Sequence, residues 1–333
     1  MVKKLLLFLV SLLIGVGLFF WIAEMVGWEG IKNAFLVFKG SQGAIILGLT
    51  VLMALIGTWK WKEILKGAGV NVSFRSLINP YLAGYSIMFL APILIWGGEI
   101  FRSYILKERN SIPWSKGMAS VIIDRISEWT ANLAVIFFGS LFFLLTIGFP
   151  LFKLGIIFGG IFLIILVIAS LFYFKLVKKE DMARLFIKNG KNEPPQIKNE
   201  ISTFFKIRKK AMWKVLFLAF LRAGVMYVRT LFLVLFLGKV IGAVPALSIL
   251  GFTYLAVMIP IPTALGSHEA IQTFAFNALG LGGSTATAFT MIIRGAELIV
   301  ALFGVLILFR LGIILIKNTL FKKLESFSKV IED

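Results

Sequence analysis

The stretch Met258-Ile-Pro-Ile-Pro-Thr-Ala-Leu-Gly-Ser-His-Glu-Ala-Ile-Gln-Thr-Phe274 decides how the chain is read. Two prolines stand one residue apart, followed by a glycine, the chain's single histidine and a glutamate, all inside an otherwise apolar region. Proline removes a backbone donor and clashes with the preceding turn, so Pro260 and Pro262 break any helix that enters here. At membrane depth such a break survives only where protein or water satisfies the freed backbone. The surroundings are of that kind. The 333 residues are 59% hydrophobic and 15% charged, with 33 phenylalanines, against about 25% charged in soluble domains. The composition is that of an integral membrane protein. With no cysteine, disulfides, thiolate metal sites and palmitoylation are excluded.

A spanning helix needs about 20 mostly apolar residues. The runs Leu5–Ala23, Ala44–Trp59, Leu151–Phe174, Trp213–Leu237 and Ala286–Ile316 qualify well or tolerably, Gly117–Phe149 is long but charged in its first third, and Leu5–Ala23, behind Lys3 and Lys4, is read as a retained first helix. Two more apolar runs, Leu77–Trp96 and Pro245–Leu281, are interrupted by Pro92 and by Pro260 and Pro262. Lys and Arg cluster between residues 60 and 75, 102 and 116, 175 and 214, and after 317, leaving Lys32, Lys39, Lys153 and Lys239 for the opposite side. The positive-inside rule places the basic segments and both termini in the cytoplasm of a multi-pass cell-membrane protein. The segments flanking Leu77–Trp96 then share a face, so that run enters and leaves by the cytoplasmic side. Pro245–Leu281 dips in from outside by the same logic. Arg229, seven residues after Arg222, is expected to snorkel outward, with Arg222 left facing a cavity.

The two interrupted runs match each other. Pro92 precedes Glu99 by seven residues and Pro262 precedes Glu269 by seven; Arg125 then follows Glu99 by 26, and Arg294 follows Glu269 by 25. Each arginine has a glutamate at i+3, Glu128 and Glu297, and the pattern recurs at an offset of 169 or 170. The expected architecture is therefore an all-α polytopic membrane protein of about six spanning helices plus two re-entrant helical hairpins in an inverted repeat. Residues 1–174 form the first membrane repeat, 175–212 a basic cytoplasmic loop that contains the polar break Asn192–Glu200, and 213–333 the second repeat with a short tail.

These residues resemble those of the lysylphosphatidylglycerol synthase transmembrane-region family, often called flippase-like. The segment WGGEIFRSYILKERNSIPWSKGMASVIIDRISEW is similar to its first signature at Gly98, Glu99, Arg102 and the Asp124-Arg125 pair. The segment PIPTALGSHEA is similar to its second at Pro260, Pro262, Gly266 and Glu269, with Ile261, Thr263 and Ala264 departing from the Thr-Pro-Gly-Gly pattern. Arg294 fits the family's later arginine. The resemblance implies movement or presentation of lipids across a bilayer. In its best-known members the region accompanies a soluble aminoacyl-transfer domain. Here only the short tail to Asp333 follows Ile316, so the resemblance does not license aminoacyl transfer, and the transporter reading comes before the enzyme one.

Ionisable groups inside spans face a cavity or a partner. Arg102, Arg125, Arg222 and Arg294 are the candidates for a lipid headgroup, because the guanidinium fork matches phosphate. The candidates for a polar cavity or for coupling are Glu99, Asp124, Glu128, His268, Glu269 and Glu297. The structural alternatives are internal ion pairs for the arginines and helix capping for Glu99 and Glu269. Pro92, Pro260, Pro262 and Gly266 mark the breaks. A lone histidine is too little for a metal site, and no cofactor motif stands out. The expected partners are anionic membrane lipids, with a separate lipid-modifying enzyme as a further candidate. No recognition fold for nucleic acid accompanies the +19 charge. Function is thus read as binding and flipping an anionic or phosphate-bearing lipid. The alternative is a membrane-embedded enzyme, or enzyme partner, acting on phospholipid or polyprenyl-phosphate lipids.

Overall fold

A computed structural model describes residues 20–21, 24, 28–37, 39–90, 97–147, 195–258 and 266–332, the last segment as backbone beyond Leu311. The described elements are helices: α1 Trp28–Val37, α2 Gly40–Gly67, α3 Phe74–Leu90, α4 Gly97–Asn110, α5 Trp114–Ile147, α6 Pro195–Ile207, α7 Lys209–Phe236, α8 Ala243–Val257, α9 Ser267–Ala278 and α10 Gly283–Glu332. Among them α2, α5, α7 and the Gly283–Leu311 part of α10 are long and apolar enough to cross a membrane. Their outward faces carry Leu145, Phe217, Phe303, Leu306 and Phe309 exposed. So much bare hydrocarbon is out of place on a water-soluble monomer and suits contact with lipid. Most of the run Leu5–Ala23, the whole of Leu151–Phe174 and the break residues Pro92, Pro260 and Pro262 lie outside the described residues.

The long-short-short-long order of α2–α5 recurs as α7–α10, at the smaller of the two offsets read from the sequence. That offset carries Gly40 onto Lys209 and Gly67 onto Phe236, the two ends of α2 onto the two ends of α7. It likewise carries Phe74 onto Ala243 and Trp114 onto Gly283, the starts of α3 and α5 onto those of α8 and α10. The turns repeat too. After α2, Val70 N–H bonds Leu65 O (2.9 Å) around Gly69 at φ 75°; after α7, Lys239 N–H bonds Val234 O (3.2 Å) around Gly238 at φ 74°. Glycine takes this left-handed conformation without a Cβ penalty, which stops both helices at the same place.

The pairing of α2 with α7 fixes how the halves meet. Glu63 reaches Lys214 (3.0 Å), Thr50 reaches Arg229 (3.0 Å), and a Cβ on Gly67 would lie 2.9 Å from that of Ala211. As positions rise along α2 their partners fall along α7, so the two helices run antiparallel. Around this pair each half lends an arm to the other: α3 packs along α10, and α8 along α5. Both crossings are close. Gly304 of α10 lies against the Leu82 carbonyl and Ser86 of α3, and Gly251 of α8 against the Val135 carbonyl and Gly139 of α5. The repeat offset maps Leu82 onto Gly251 and Val135 onto Gly304, so one contact is made twice with its glycine on the opposite partner.

Two apolar clusters close the opposite ends of the bundle. One gathers Trp61, Leu77, Leu106, Met118 and Val215 with Ile197, Ile201 and Phe204 of α6. The other gathers Ile46, Leu233, Phe276, Ala286 and Phe289. The start of α3 and the end of α4 therefore sit at one end of the molecule, and the end of α9 sits at the other, with Ile241 just before α8. The first end is ringed by Lys62, Lys66, Arg75, Lys107, Arg109, Lys116 and Lys206, and the second has Lys39 and Lys239.

One expectation is corrected. The first helix pair is not confined to Leu77–Trp96: its second arm is α4, Gly97–Asn110, which the charge pattern assigned to a basic surface segment. Glu99 and Arg102 are buried there with partners, so their charges do not force the segment into water. Within the polar break Asn192–Glu200 a helix, α6, begins at Pro195, where a proline fits the first helical turn.

Candidate functional site

One turn of α5 carries Asp124, Arg125 and Glu128, and three other helices aim opposite charges at it. From α2, Lys60 Nζ lies 2.9 Å from Asp124 Oδ1 and 3.6 Å from Glu128 Oε1, with a fully buried side chain. From α4, Arg102 Nη1 donates to Asp124 Oδ2 at 2.9 Å, while its guanidinium lies over the rings of Trp61 (4.1 Å) and Tyr81 (4.8 Å). Also on α4, Glu99 accepts from Arg125 Nε. Arg125 Nη1 reaches Glu128 Oε2 at 3.3 Å, and Arg222 of α7 pairs with the other oxygen of Glu128. A charge removed from water is tolerable when paired this way and costly when left alone.

A smaller network faces it. Glu297 of α10 accepts Arg294 Nη1 at 2.9 Å and Arg229 Nη2 at 3.0 Å, and Arg229 also donates to Thr50 Oγ1 at 3.0 Å. Between the two networks lies a cavity of about 240 Å³ whose walls include Arg102, Asp124, Arg125, Glu128, Arg222, Arg294 and Glu297. Its lining obeys the repeat. Arg125 and Arg294, Glu128 and Glu297, Tyr85 and Tyr254, and Thr50 and Ala219 are equivalent pairs at the same offset, and all line it. One equivalence breaks the charge balance: Arg222 stands where the first half has Met53.

The structure thus brings together most of the residues singled out from sequence and leaves three aside. Glu99 is fully buried beneath Arg125 rather than on the wall. Glu269 is buried at the start of α9, where its Oε2 accepts Gly266 N–H at 2.7 Å and closes the turn; Gly266 has φ 79°. His268 is buried beside it, away from the lining. Arg229 does not snorkel outward: it is fully buried, because Glu297 and Thr50 give it partners that lipid headgroups would have to replace. Lys60, counted among the surface charges, is also fully buried. Lys60 and Arg229 are equivalent positions of the two halves, as are Tyr85 and Tyr254, so the offset read from the pairs Arg125–Glu128 and Arg294–Glu297 also pointed to the residues missed.

The family described as "Lysylphosphatidylglycerol synthase TM region" matches residues 8–304. The chain belongs to this family. It is 28% identical over 297 residues to UPF0104 membrane protein PH1989 of Pyrococcus horikoshii, covering 81% of this chain and 88% of that protein. It is 24% identical over 263 residues to UPF0104 membrane protein MJ1595 of Methanocaldococcus jannaschii, covering 74% and 77%. No solved structure matches the chain. Family membership and the apolar helices agree on a multi-pass membrane protein, and Glu99 and Glu269 of the two resembling segments stand in the first turns of α4 and α9.

Proposed function

We propose that this family member binds the anionic, phosphate-bearing headgroup of a membrane lipid in the central cavity and moves it across the bilayer. The observation that carries the reading is the redundancy of two cavity arginines. Glu128 keeps Lys60 and Arg125 without Arg222, and Glu297 keeps Arg229 without Arg294. Arg222 and Arg294 are therefore not needed to neutralise the fold, yet both face a protected space where a phosphate would find bidentate donors. Replacing Arg294 by glutamine is expected to lower headgroup-resolved lipid translocation in proteoliposomes by at least about tenfold, one lost charge-assisted contact. Wild-type rates in both Arg294→Gln and Arg125→Ala would remove the reading.

In the same reading residues 1–174 and 213–333 are inverted repeats joined by the basic loop 175–212, and the helix pairs α3–α4 and α8–α9 are re-entrant hairpins inserted from opposite faces. The antiparallel α2–α7 pair supports this: if both helices span, the axis relating the halves lies in the membrane plane. The basic end of the bundle, with both termini, is assigned to the cytoplasm of the cell membrane by the positive-inside rule. Because the chain has no cysteine, single cysteines at the exposed positions Ser76 and Asn277 report topology directly. Membrane-impermeant thiol reagents should label Ser76→Cys from the cytoplasm and Asn277→Cys from outside. Labelling of both from one face excludes opposed hairpins.

A further inference from the structure

We infer that the group received in this cavity is a doubly charged terminal phosphate, a phosphomonoester, rather than a singly charged phosphodiester. This rests on the reading that an anionic headgroup enters here and adds its class. In the ion-pair networks around the cavity, Lys60, Arg102, Arg125, Arg222, Arg229 and Arg294 face Glu99, Asp124, Glu128 and Glu297. The six cations outnumber the four carboxylates by two. The imbalance can be located. Within the first half, Lys60, Arg102 and Arg125 balance Glu99, Asp124 and Glu128, and Arg222 then adds a charge where the equivalent residue is Met53. In the second half Arg229 satisfies Glu297, and Arg294 is the second surplus charge. Glu269 is bonded to Gly266 N–H and makes no ion pair with these arginines among the described residues; it acts on Arg294 only through space and is left out of the count of paired charges.

Both surplus cations line the cavity, one from each network, so a single ligand between them meets both. Uncompensated charge in a protected site is costly, and one dianion cancels the surplus where a monoanion leaves half of it. A phosphomonoester carries about −1.5 to −2 at pH 7 and offers three strong acceptor oxygens. A diester carries one charge and two such oxygens. The donors correspond: Arg222 Nε, Arg294 Nε and Arg294 Nη2 are buried with no hydrogen-bond partner among the described residues. Tyr85 and Tyr254 add two more polar side chains to the same wall.

The test measures binding of dodecyl phosphate, its methyl diester and inorganic phosphate to the full-length protein in uncharged detergent by titration calorimetry at pH 7.5. Dodecyl phosphate is expected to bind at least about tenfold more tightly than the methyl diester. That preference should shrink in Arg222→Met, which copies the first half, and in Arg294→Gln, and survive in Arg222→Lys, which keeps the charge. Equal affinities for the two esters overturn the dianion inference and leave an anionic-headgroup site standing. Inorganic phosphate bound with neither ester bound keeps the dianion class and overturns the lipid reading. No binding of any of the three overturns both. A preference unchanged in Arg222→Met and Arg294→Gln, or lost in Arg222→Lys, overturns the assignment to these two charges.

Discussion

Replacing Asp124 by alanine is expected to destabilise the protein by about 3–5 kcal/mol, the range for breaking a buried pair from one side. Asp124 is the hub of the larger network. Lys60, fully buried, would be left with Glu128 at 3.6 Å, and Arg102 would lose its carboxylate altogether. Lys60 is fully buried, and Arg102 is held over the rings of Trp61 and Tyr81 with only its cavity side open. Reversible unfolding in mixed micelles measures the loss. A change below about 1 kcal/mol, the value of an exposed pair, would show that Asp124 is not the hub. Asp124→Asn keeps the shape and some hydrogen bonding, so its loss should fall between alanine and wild type.

The second large effect is steric. A side chain on Gly98 would strike the Gly84 carbonyl and sit 2.8 Å from Met88 Cγ, while one on Gly84 would lie 2.9 Å from the Gly98 carbonyl. Helices α3 and α4 touch backbone to backbone here, and no rotamer change makes room. Gly98→Leu is expected to cost about 3 kcal/mol or more, the upper range for overpacking, and to abolish translocation by displacing the neighbouring Glu99 from Arg125. Gly224 is the control: nothing lies within 4 Å of its Cβ position, and Gly224→Ala should be neutral or gain up to about 1 kcal/mol from helix propensity. Similar behaviour of the two variants in thermal unfolding and in lipid transfer would refute the tight hairpin.

The long helices were legible because crossing a bilayer demands an unbroken apolar run, and α2, α5, α7 and α10 each contain one. The distribution of lysine and arginine anticipated that Lys62, Lys66, Arg75, Lys107, Arg109 and Lys116 share one end of the bundle. That same count misplaced Lys60 and the α4 segment, since it treats every basic residue as a wet one. What buries Lys60 is Asp124, 64 residues away, and what holds Arg229 inward is Glu297, 68 residues away. Partnerships at that range leave no mark on local hydropathy. Glu99 and Glu269 stand out in the sequence because each follows a proline at equal spacing, a local pattern. Whether they face a cavity is decided by packing: Glu99 lies under Arg125, and Glu269 folds back onto the Gly266 amide.

The ledger of the first half also bears on how the chain is made. Lys60, Arg102 and Arg125 find Asp124, Glu99 and Glu128 without help from any residue beyond 147. A nascent chain ending there can leave the translocon as an electrically closed unit, with no stranded ion awaiting later synthesis. The second half has no such independence. Of Arg222, Arg229 and Arg294, the first takes its carboxylate from α5 and the second takes a hydroxyl from α2. Ribosomal order and electrostatic order coincide: the segment that emerges first is the template on which the later one is neutralised.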